Sequence, residues 1–98
     1  MRITLATALV LQAIANGHTH GFEIVDVTGY PTGTIYPALR RLEHAGYVRS
    51  EWESERTAFK DARPQRRYYE VTAAGRRALE RAVNRLHVLG ALRPRLAK

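Results

Sequence analysis

Histidine, carboxylate, arginine and tyrosine are the side chains through which this sequence could do chemistry, and their spacing sorts them. His18 and His20 stand two apart with no carboxylate or thiolate beside them, while His44 and His87 fall on other segments. Two imidazoles alone leave a tetrahedral metal site half built. His20 therefore reads as a residue near a helix start and the others as exposed, with no metal site. The acids form no pair in a recognisable pocket, and the chain has neither a glycine-rich phosphate loop nor a nucleophile elbow. Cysteine is absent, which excludes disulfides, thiolate metal sites and a cysteine nucleophile. The expectation is a protein that is not an enzyme and needs no cofactor.

The arginines and tyrosines are a different matter. Between Thr32 and Val48 the chain reads TGTIYPALRRLEHAGYV. Ile35, Leu39 and Leu42 recur at helical spacing on one face. Tyr36, Arg40, Arg41 and His44 fall on the other. An apolar back and an aromatic, cationic front suit insertion into a groove lined by phosphates and base edges. Arg40 is placed for a bidentate contact with guanine O6 and N7. Arg41, about 100° further round the helix, is placed for phosphate. Thr32, Thr34 and the first-turn N–H groups can hold a phosphate at the helix start. Tyr36 reads equally as a contact to a thymine methyl or to phosphate. Glu43 most simply pairs with a neighbouring arginine. Further along, Lys60, Arg63, Arg66 and Arg67 place four cations within eight positions. Arg66 and Arg67 alternate faces on a strand, so only one of them is expected to point at nucleic acid.

The composition agrees with such a partner. In 98 residues the chain carries 16 basic and 9 acidic side chains, a formal charge of +7. That balance favours a polyanion, nucleic acid first and an anionic membrane surface second. Lys60 and Lys98 are the only lysines. Arginine's planar fork suits phosphate and guanine, although a GC-rich genome would produce the same ratio. An apolar fraction of 45% suits a folded domain with one modest core.

The elements that must position these residues follow from periodicity and breakers. Ile3 to Ala15 reads as a helix stopped by Asn16-Gly17, with apolar residues over more than one face. The run is too short to span a bilayer and leads into no small-x-small cleavage site, so the protein is expected in the cytoplasm, away from membranes. A second short helix from Thr19 or His20 supplies Phe22, Ile24, Val25 and Val27 to the core and ends at Thr28-Gly29. The third helix begins within Thr32–Thr34. If Thr34 is its N-cap, Pro37 sits in the first turn, where no donor is needed. It closes at Ala45-Gly46. Tyr47 to Glu53 and Arg66 to Thr72 then alternate as strands. Val48 and Trp52 are read as the buried positions of the first, and residues 54–65 as a loop. A last helix, capped by Thr72 or Ala73, runs to about Leu92 with Leu79, Val83, Leu86 and Leu89 in stripe. The expected fold is mainly α with a small β-hairpin, a winged helix-turn-helix in the order ααα-β-wing-β-α.

Three segments also carry a family resemblance: HGFEIV at 20–25, GYPTGTIYPALRRLEHAGYV at 29–48 and RRYYEVTAAG at 66–75. In this order and spacing they resemble the PadR family, the phenolic-acid-decarboxylase regulators, over most of the chain. The resemblance implies a homodimeric bacterial transcriptional regulator, usually a repressor, on a pseudo-palindromic double-stranded DNA operator. It further implies a third helix in the major groove, a wing on backbone or minor groove, and a C-terminal dimerisation helix. With only residues 73–98 beyond the winged domain of 1–72, the chain is similar to the short subfamily, and the resemblance leaves open whether the larger members' effector pocket has a counterpart here.

The surplus apolar faces of the end helices, Leu5 and Leu9 with Leu79, Val83, Leu86 and Leu89, fit a dimer interface across a two-fold axis. Trp52 reads as core, or else as the wall of a cleft for a small aromatic effector. The alternative to a DNA-binding regulator is a winged-helix module for protein–protein or membrane-surface contact, its basic face merely solvated.

Overall fold

A computed structural model describes residues 1–91, with side chains as far as His87. The expected interface residue Leu89, the end of the last helix near Leu92, and the basic tail with Arg93, Arg95 and Lys98 lie outside the described side chains or residues.

Helix α1 spans Leu5–Ala15. Thr4 caps it, its hydroxyl accepting the Thr7 N–H at 3.3 Å, and Asn16 closes it before Gly17 at φ +98°. Val10, Leu11 and Ile14 are buried in the core. Leu5 and Leu9 remain 55% and 41% exposed, so the helix does have a second apolar face that the single chain leaves uncovered.

Helix α2, Gly21–Thr28, ends on Gly29 at φ +76°, a left-handed turn that glycine adopts without a Cβ clash. Ile24 is fully buried and Val25 partly so, but Phe22 and Val27 are exposed, contrary to the core role read for them. Phe22 precedes Ile24 by two positions, about 200° round the helix, and so faces away from the core.

Helix α3, Thr32–His44, starts earlier than a Thr34 cap allows. Pro31 is the N-cap, and its carbonyl accepts the N–H groups of Thr34 and Ile35 at 2.9 and 3.0 Å. Pro37 consequently lies inside the helix and not in its unpaired first turn. Its missing N–H leaves the Gly33 carbonyl without the intrahelical donor it would otherwise have. The inward stripe is as the periodicity requires, with Ile35, Leu39 and Leu42 joined by Ala38 in the core.

Strands β1 (Val48–Trp52) and β2 (Arg67–Val71) pair antiparallel, Val48 opposite Val71, Ser50 opposite Tyr69 and Trp52 opposite Arg67. Val48, Tyr69 and Val71 face the core. Trp52, the last residue of β1, does not: it is 57% exposed. A further tie was not legible in the sequence. The segment before α2 joins the hairpin, with a His20–Tyr68 bridge and the Tyr69 N–H donating to the Thr19 carbonyl at 2.8 Å.

The segment read as a loop contains helix α4, Glu55–Lys60. The Ser54 hydroxyl accepts the Thr57 N–H at 3.1 Å as its cap, and Ala58 is buried. Helix α5, Ala73–Ala91, packs on α1 through Ala78, Leu79 and Ala82. The Thr72 hydroxyl accepts the Gly75 N–H at 3.0 Å and donates to the Gly46 carbonyl at 2.6 Å, tying the start of α5 to the end of α3. Gly75 itself is required there, since a Cβ would stand 2.0 Å from the Tyr47 carbonyl oxygen.

Candidate nucleic-acid interface

The exposed face of α3 presents Thr32, Tyr36, Arg40, Arg41 and His44, with Thr34 and Pro37 half-buried at its edge. Among the described residues neither Arg40 nor Arg41 has a side-chain carboxylate partner. Tyr36 is held from behind: a Cβ on Gly21 would lie 2.1 Å from its phenol oxygen, so the ring occupies the space that Gly21 leaves. Between α3, the start of α2 and the hairpin runs a cleft of about 330 Å³ whose walls include Phe22, Tyr36, Arg40, Trp52, Arg66 and Arg67. The recognition face and the wing therefore meet along one groove, aromatic and cationic together.

The four wing cations part company. Lys60 is exposed on α4. Arg63 is turned back into the wing, where its guanidinium engages Glu53 through both nitrogens, Nη2 to Oε2 at 3.1 Å, and reaches Asp61 at 3.2 Å. The Arg63 hydrogen bond holds the Glu53 carboxyl down at about 2, with the Arg66 N–H donating to Oε1 at 2.9 Å as further support. Arg63 is thus a structural cation, a correction to its reading as a free phosphate contact. Arg66 lines the cleft, and its guanidinium has no protein partner among the described residues. Arg67 lines it too, but it is held by Glu43 at 3.3 Å and Ser50 at 2.8 Å, and lies 5.5 Å from the Trp52 ring centre. Arg66 and Arg67 thus line the same cleft, not the opposite faces expected of strand neighbours, Arg66 lying just before β2, and they differ in their partners.

His20 sits at the joint of α2 and the hairpin, edge-on to Tyr68 at 5.7 Å. Burial, followed by the nearby Arg66 charge, lowers its pKa, and its Nδ1 is buried without a hydrogen-bond partner. A carboxylate does stand beside it after all, Glu23 Oε1 lying 3.9 Å from Nε2. Among the described residues no group of three or more potential ligands is placed to hold a metal.

Of the expected interface residues on the end helices, Leu5, Leu9 and Val83 are exposed. Leu79 is buried in the chain's own core and Leu86 packs against it, because α5 lays that side of its stripe on α1. Those two hold α5 in place, Leu79 within the core and Leu86 half-buried at its edge. No described helix is long and apolar enough to cross a membrane.

Three helices, a two-stranded wing and a basic third-helix face define the winged helix-turn-helix class. Within it, the transcriptional regulator PadR-like family matches residues 10–81, and the chain belongs to that family of DNA-binding regulators. A PadR family transcription regulator from Clostridium difficile is similar in structure, with TM-score 0.78 and 21% identity over 91% of this chain and 94% of that one. A PadR family regulator from Eggerthella lenta gives TM-score 0.68 and 27% identity over 86% and 76%. BpsR of Bordetella bronchiseptica, whose DNA binding is regulated by 6-hydroxynicotinic acid, gives 0.72 and 19% over 91% and 63%. No curated protein sequence matches the chain.

Proposed function

We propose that the protein is a homodimeric, cytoplasmic repressor without enzymatic activity, binding a pseudo-palindromic operator with α3 in the major groove and the wing on the flanking backbone or minor groove. The observation that carries this reading is the single groove in which Arg40 of α3 and Arg66 of the wing stand without carboxylate partners among the described residues. Arg40 reads a base edge, while Arg41, Arg66 and Lys60 meet phosphates. The dimer covers the apolar surface of Leu5, Leu9 and Val83, and residues 73–98 serve it as an arm beyond the winged domain of 1–72. The ligand response of BpsR supports a small aromatic effector here, with exposed Trp52 as its contact.

Footprinting across the protein's own promoter supplies an operator. Against it, Arg40→Ala is expected to lower discrimination from random duplex by about 1–3 kcal/mol per lost bidentate contact. Arg66→Ala is expected to weaken both duplexes about equally. Equal losses from both variants would remove Arg40 from base reading.

A further inference from the structure

An acid on a DNA-reading helix needs an explanation, since it repels phosphate. Glu43 lies on the same helix as Arg40 and Arg41 in a chain of formal charge +7. Its Oε2 accepts the Ser50 hydroxyl at 2.6 Å, and its two oxygens stand 3.3 and 3.4 Å from Arg67 Nη2. The Ser50 oxygen in turn accepts from Arg67 Nε at 2.8 Å. The Trp52 ring backs the same guanidinium. Arg67 is therefore held by α3 on one side and by β1 on the other, while Arg66, the preceding residue, is left without a side-chain partner among the described residues.

We propose that Glu43 is a specificity-determining residue that withholds the Arg67 charge from DNA phosphate. The inference rests on the DNA-binding reading above. A phosphate contact strengthens binding to every sequence alike, so each arginine left free on this face raises non-specific affinity without adding discrimination. Glu43 neutralises one such arginine, and Arg67 neutralises the acid that α3 would otherwise carry toward the backbone. The same contacts fix the wing against the recognition helix.

Glu43→Gln preserves the shape and an oxygen for Ser50 but removes the charge that holds Arg67. Binding to operator and to random duplex is measured against salt concentration for the intact protein, for Glu43→Gln and for Glu43→Gln/Arg67→Ala. Thermal unfolding confirms that each variant is folded. Glu43→Gln is expected to bind random DNA more tightly and to narrow the ratio between operator and random. Its log–log salt slope should steepen by about 0.9 for each freed arginine, about 1.8 in a dimer. Adding Arg67→Ala should return the slope to that of the intact protein. An unchanged slope in Glu43→Gln overturns the proposal. So does a double variant that keeps the steeper slope, because Glu43 would then act only through its own repulsion of phosphate. Absence of salt-dependent binding by the intact protein would instead overturn the DNA-binding reading, and this inference with it.

Discussion

At Glu53 the wing gathers several contacts on one carboxylate, from the Arg63 guanidinium, the Arg66 N–H and the Tyr68 hydroxyl at 3.4 Å. Its folded pKa of about 2 lies below the ordinary value of 4.5, so the folded state holds the charged form more strongly than the unfolded chain does. The resulting stability is fully present above pH 4.5 and is lost as pH falls from there toward about 2. Glu53→Gln should therefore be less stable than the parent at pH 7 and should show a smaller further loss on acidification, measured by thermal melts across that range. His20 works in the same direction, in a higher pH range. Its lowered pKa means that the unfolded chain takes up a proton first, so stability declines as pH drops below the ordinary 6.5. His20→Phe should flatten the melting-temperature profile between about pH 7 and 5.5; an unchanged profile would show that His20 is not the group responsible. From sequence Arg63 and Arg66 were indistinguishable cations. Their separation depends on Glu53, ten positions from Arg63 and brought to it only by the folded wing.

Helices α1, α2, α3 and α5 were legible from their apolar periods and their stops, and the six-residue α4 was not. The stripe of Ile35, Leu39 and Leu42 fixed the face of α3 because three large apolar residues at helical spacing within 13 positions give a readable period. Helix α4, with six residues and one buried alanine, is too short to show any period, and its Ser54 cap is a signal shared with ordinary turns. Likewise Pro31 as a cap offers no side-chain acceptor, so Thr34 looked the better start. The joints between elements depend on close approaches that single glycines permit. At Gly75 the obstacle to a Cβ is the Tyr47 backbone carbonyl, which cannot swing aside as a side-chain tip could. Gly75→Ala is expected to cost about 1–3 kcal/mol, read by denaturant unfolding, despite alanine's better helix propensity. At Gly21 the obstacle is the Tyr36 ring, so Gly21→Ala should push the phenol out of its seat and change DNA binding more than stability.

For the molecule as a whole, α1 and α5 pack together and leave Leu5, Leu9 and Val83 exposed at 55%, 41% and 48%. A second copy would bury that surface and set two α3 helices about 34 Å apart, one turn of DNA. Leu5→Glu/Leu9→Glu should shift sedimentation toward a monomer at micromolar concentration and cost operator affinity with it. A variant that stays dimeric would place the interface elsewhere. The central claim is that this basic groove binds duplex DNA, and the dependence of duplex affinity on salt tests it most directly. With about 6–10 phosphates neutralised by a dimer, affinity should fall by about 10³–10⁵ between about 50 and 200 mM salt, along a straight log–log line. No measurable duplex binding, or binding indifferent to salt across that range, would contradict the account.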